Sequence, residues 1–106
     1  MAESRPTGLV ELPVSWILDD AAYLALPRGA LSSPQLVFEI YRDEFEGAYR
    51  EGTLFMLTLH PEISGHRSRL VHIERLIAYI KAKPDVWFAT GRQIAEYVRQ
   101  QNGMAK

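Results

Sequence analysis

His60 is the residue whose type and setting most readily do chemistry. It follows an almost unbroken apolar run, Leu54 to Leu59, and opens the segment HPEISG. Such a run of strand length suggests a strand covered on both faces, as in a parallel sheet. A titratable residue just after it lies at the strand's C-terminal end, where α/β folds assemble their sites. A neutral imidazole there can donate or accept a proton near pH 7. The alternative is a histidine that ties a loop down by hydrogen bonds. Asp19 and Asp20, in the loop after an earlier strand, are the carboxylates that could reach it. A carboxylate beside a histidine raises its pKa and fixes its tautomer. Trp16 could wall such a site and exclude water. The alternative for the two aspartates is a turn or helix cap.

The other polar candidates are weaker. His66 and His72 are six residues apart, roughly 240° around a helix, and so cannot share a metal ion. They match no metal-ligand spacing, and surface or cap roles suit them better. Arg67 and Arg69 could hold an anion, although solvated arginines are commoner. Phe45, Tyr49 and Tyr79 read as core. No glycine-rich phosphate loop and no nucleophile elbow is present.

The elements that must position these residues alternate. Leu9–Trp16 reads as a strand disturbed by Pro13, and residues 17–33 as a long loop with room for a short helical turn. A helix follows over 35–51, capped by Ser33 with Pro34 at its first position and ended by Gly52. Its inner face is Val37, Tyr41, Phe45 and Ala48, with Ile40 beside them. Thr53–Leu59 is the second strand and 60–65 a loop. A helix over about 66–83 has Leu70, Ile73, Ile77 and Ile80 as its buried stripe. Val86–Ala89 is a third strand. Thr90 and Gln93 have capping-box spacing for a helix to about Gln101, with Ile94, Tyr97 and Val98 facing inward. Alternation with short connections implies βαβ units and a parallel sheet with helices outside it.

Bulk properties narrow the function. The 106 residues suffice for one small domain, with residues 1–8 as a loose leader and 9–106 as the folded part. Apolar content of 47% and charged content of 24% describe a globular chain. A formal net charge of −1 argues against nucleic acid or an anionic membrane as partner. With no cysteine there is neither disulfide nor thiolate metal site. The polar start carries no signal-peptide pattern, no run is long enough to span a membrane, and a cytoplasmic location is the expectation.

Three segments, ELPVSWILDD, LFMLTLHPEISGHRSRL and IERLIAYIKAKPDVWFATGRQIAEYV, together resemble the C-terminal part of polysaccharide deacetylase-like proteins, the NodB homology domain of carbohydrate esterase family 4. The branch with peptidoglycan deacetylase-like and allantoinase-like amide hydrolases is the most similar. The resemblance implies an α/β fold, the C-terminal half of a distorted (β/α) barrel. It implies metal-assisted amide hydrolysis, in which an aspartate and two histidines hold a divalent ion, often zinc, and a second aspartate is the base. His60 matches the late histidine that protonates the leaving amine. Asp19 or Asp20, with Trp16, matches the pair that tunes it, and Pro61 falls beside Trp16 at the substrate pocket. The metal-binding and base motifs have no counterpart here, so no metal is expected on this chain alone. Two readings follow. One is half of a hydrolase that needs a separate N-terminal half-domain. The other is a non-catalytic remnant or interaction module that forms homo-oligomers through exposed sheet edges.

Overall fold

The computed structural model describes residues 8–25 and 32–103. Residues 1–7 of the expected leader, and Pro27, Arg28 and Gly29 of the expected long loop, lie outside them. The chain forms two units, residues 14–86 and residues 8–13 with 87–103.

In the first unit, residues 16–18 make a 3-10 turn that leads into α1, Asp20–Leu24. The longest helix, α2, runs Pro34–Glu51. Its ends follow local chemistry. The Ser33 hydroxyl accepts from the Leu36 amide, and Pro34 sits where no amide hydrogen is needed. Gly52 takes the left-handed conformation (φ 70°), which lets the Thr53 amide return to the Ala48 carbonyl. A one-turn helix, α3, spans Pro61–Ser64, and α4 spans Arg67–Lys81.

The core lies between α2 and α4, with Leu24 of α1 added. Val37, Phe38, Tyr41 and Phe45 of α2 meet Leu76 and Ile80 of α4. Burying each such side chain contributes about 1.5–3 kcal/mol. The ring of Phe38 stands edge-on to Tyr41 at 4.9 Å, and that of Phe45 edge-on to Phe55 at 5.5 Å. Tyr49 and Tyr79 pack against this core as expected. Farther along, Lys83 pairs with Glu46 at 2.9 Å and lies over the rings of Tyr49 and Tyr79. Tyr79 donates to the same carboxylate, and Tyr49 donates to the Pro84 carbonyl.

Two stripes shift from the sequence reading. On α2 the position beside the inner face is Phe38, while Ile40 is exposed. On α4 the buried positions are Leu76 and Ile80 with Ile73 half-buried, while Leu70 and Ile77 are exposed. Both alternatives have helical spacing. The direction from which the partner helix approaches decides which is covered.

The second unit holds α5, Gly91–Gln101, opened by the expected capping box. Thr90 accepts from the Gln93 amide, and the Gln93 side chain accepts from the Thr90 amide. Trp87 packs edge-on against Tyr97, and Arg99 donates to the Gly8 carbonyl at 2.7 Å. Ile94 and Val98 are half-buried, whereas Tyr97 is exposed.

The expected parallel sheet is the main departure. Among the described residues, Leu9–Trp16, Thr53–Leu59 and Val86–Ala89 form no ladder; the pairing present is one parallel bridge between Asp19 and Thr58. A ladder needs a run of backbone bonds to a second extended segment, and among the described residues that pairing is confined to Thr58. The bridge has parallel geometry all the same. The Thr58 amide donates to the Leu18 carbonyl at 2.8 Å, and the Asp20 amide to the Thr58 carbonyl at 3.1 Å.

Candidate functional site

That bridge builds the site. It fixes the start of α1 beside the end of the apolar run, so the residue after Asp19 faces the residue two beyond Thr58. Asp20 and His60 meet there although 40 positions separate them. The Asp20 side chain is fully buried and carries three contacts. Oδ1 accepts from His60 Nδ1 at 2.6 Å. Oδ2 accepts from the His60 backbone amide at 2.9 Å and from the Ser64 hydroxyl at 2.7 Å. Facing a carboxylate, Nδ1 carries the hydrogen, which leaves Nε2 as the reactive nitrogen. The imidazole is 39% exposed, so solvent and solutes reach it. Its pKa is raised, chiefly by the hydrogen bond to Asp20; burial opposes this, and the charges of Asp20, Asp19 and Glu62 add to the rise.

The two aspartates divide their work. Asp19 caps α1, its Oδ1 accepting from the Ala21 amide at 2.9 Å, and it lies 3.8 Å from His60 Nδ1. It adds negative charge near the imidazole but no hydrogen bond to it. Of the Asp-Asp pair, Asp19 is the helix cap and Asp20 is the carboxylate that reaches His60.

The segment after His60 is a small clamp. Pro61 sits at the first position of α3, next to His60, and is exposed. The Ser64 amide returns to the His60 carbonyl and the Gly65 amide to the Pro61 carbonyl, both at 2.9 Å. A Cβ on Gly65 would lie 2.3 Å from the Pro61 carbonyl oxygen, so only glycine fits this close pass. Arg69 donates from α4 to the Ile63 carbonyl, and His66, which caps α4, donates Nε2–H to the Glu62 carbonyl. Together these turn Ser64 inward, where it is buried. Ser64 is the site residue that sequence reasoning missed. Its signal was the proline after His60, which starts a helical turn and brings the fourth following residue back over the histidine.

Other candidates fall elsewhere. Trp16 is 70% exposed and so excludes no water. His72 stacks on Phe38 with ring centroids 6.0 Å apart.

Asp19, Asp20 and His60 place one donor atom each within 4.8 Å of one another. This set does not fit a divalent cation. His60 Nδ1 and Asp20 Oδ1 already share a hydrogen, Asp20 Oδ2 faces two hydrogen donors, and Asp19 Oδ1 faces an amide. It is a hydrogen-bonded relay holding one imidazole.

No family model matches the chain. A peptidoglycan deacetylase of Helicobacter pylori is 29% identical over 94% of this chain and 36% of its own length. A Schizosaccharomyces pombe protein assigned as a polysaccharide deacetylase is 30% identical over 84% of this chain and 29% of its own. A crystal structure of a Mycobacterium smegmatis protein with the same assignment superposes with a TM-score of 0.76 at 38% identity, covering 86% of this chain and 34% of that one. The chain thus spans about a third of the length of each of these relatives. In sequence and in structure, the chain is similar to part of these polysaccharide deacetylases.

Proposed function

We propose that the chain supplies the acid side of an amide-hydrolysing deacetylase, as the C-terminal part of a distorted (β/α) barrel. The observation that carries this reading is the Asp20–His60 pair, with its 2.6 Å contact at Nδ1 and an accessible imidazole. As the carbon–nitrogen bond of an acetamido group breaks, protonated His60 gives its Nε2 hydrogen to the departing nitrogen, and the amine leaves neutral. Asp20 keeps Nδ1–H in place and stabilises the positive charge before transfer. Pro61, exposed and next to His60 in the chain, would border the approach to the imidazole. A divalent ion, zinc by resemblance, belongs to residues other than Asp19, Asp20 and His60, as does the base that activates water. The names of the relatives favour an acetylated glycan as substrate.

The test is complementation. The chain is produced together with the N-terminal two-thirds of the Helicobacter pylori peptidoglycan deacetylase, and acetate release from acetylated glycan is measured. The expected outcome is activity that drops at least about 100-fold with His60→Ala, the usual range for losing a general acid. Equal activity of the His60→Ala complex would sink the assignment.

A second reading has its own support. Trp16, Leu54, Trp87 and Phe88 are all exposed, and large exposed apolar side chains favour burial against another surface. In this reading the chain is a non-catalytic module that pairs with copies of itself.

A further inference from the structure

The hydroxyl of Ser64 has no place in the chemistry above, yet it is buried and aimed at one atom. It lies 2.7 Å from Asp20 Oδ2, on the oxygen opposite the one that holds His60. Everything around it serves that aim: the α3 turn, the glycine pass at Gly65 and the Arg69 bond to Ile63. A serine needed only to fill space would not require a donor directed at a carboxylate, and alanine would fill that space more simply.

From this geometry we infer that Ser64 is a positioning residue for His60, its hydroxyl drawing on the charge of Asp20 and so limiting how strongly the carboxylate holds the imidazole proton. The inference rests on His60 as proton donor. A carboxylate with no competing donor binds an imidazolium too well to make it a good acid, and one with too many donors binds it too weakly. Asp20 stands between these limits, with one amide and one hydroxyl on Oδ2 and the imidazole on Oδ1. The other charged groups near the imidazole are Asp19 and Glu62, which act on it through space. Tyr41 lies near enough to Asp20 to feel its charge. Its hydroxyl finds no hydrogen-bond partner among the described residues, and burial with that charge pushes its pKa well up, so it stays neutral.

The test needs no enzymatic activity. The His60 ring nitrogens of the 106-residue chain are followed by NMR through a pH titration in the wild type and in Ser64→Ala, Ser64→Cys and Ser64→Thr. The expected result is a His60 pKa raised by about half a unit or more in Ser64→Ala. Ser64→Cys, of similar shape and weaker as a donor, shifts it the same way by less. Ser64→Thr keeps the hydroxyl and returns the wild-type value. An unchanged or lowered pKa in folded Ser64→Ala overturns the inference; if that variant does not fold, Ser64→Cys decides by the same criterion. A Thr variant that moves His60 as far as Ala also overturns it, since the hydroxyl would then not be the cause. The complementation result for His60→Ala is independent of this titration, so the two readings fail separately.

Discussion

Asp19, Asp20, His60 and Ser64 form one cluster of polar side chains, and its geometry bears on how the molecule responds to pH. The folded state holds the His60 pKa above its ordinary value of 6.5, so folding favours the protonated imidazole. The stability that this adds is fully present below about 6.5, the unfolded value. It is lost as the pH rises through the higher folded value. Urea midpoints measured across that window should fall for the wild type, and the fall should flatten in His60→Gln. A wild-type midpoint that rises over the same window would contradict the Asp20–His60 contact. This direction came from the residue types themselves, since a carboxylate near a histidine acts one way. Which aspartate provides the contact did not. The two are adjacent, and only the bridge at Thr58 turns Asp20 inward and leaves Asp19 to cap α1.

At the scale of elements, the helices were legible and the strands were not. Helices α2, α4 and α5 form from hydrogen bonds within their own segments. Ser33, Pro34 and Gly52 therefore mark the ends of α2, and Thr90 with Gln93 the start of α5, in the sequence itself. Strands take their bonds from elsewhere, so Thr53–Leu59 can have strand composition and still carry a single bridge. The turn α3 read as a loop because four residues give no periodicity. Its constraint is steric instead, at Gly65. Gly65→Ala should force the turn open against the Pro61 carbonyl and cost about 1–3 kcal/mol, as forced overpacking does. It should also weaken the protection of the His60 amide against hydrogen exchange, because that amide depends on Asp20 Oδ2. An Ala variant with wild-type stability and exchange would show that the close pass is not required.

For the whole molecule, similarity covers nearly all of this chain but about a third of each relative. Leu70 and Ile77 on α4, Leu36 and Ile40 on α2, and Trp16, Trp87 and Phe88 outside the helices remain exposed. Apolar exposure on this scale favours association. The chain of 12.1 kDa should elute at high micromolar concentration with a light-scattering mass of at least twice that value. A uniform monomer under those conditions would argue against edge pairing. No helix among the described residues is long and apolar enough to cross a membrane.

The sequence by itself determined what local bonding determines: three helices, the caps of α2 and α5, the aromatic core positions Tyr41 and Phe45, and a histidine delivered at the end of an apolar run. It also carried the resemblance to polysaccharide deacetylases, through the segments ELPVSWILDD, LFMLTLHPEISGHRSRL and IERLIAYIKAKPDVWFATGRQIAEYV taken together. Only the tertiary structure decided the rest. Whether Leu76 or Ile77 is covered, which of two neighbouring aspartates holds His60, and that Ser64 completes the grip all depend on groups brought together from distant positions. Hydrogen bonds and burial act through space, and a linear pattern records them only where chain neighbours are also neighbours in space.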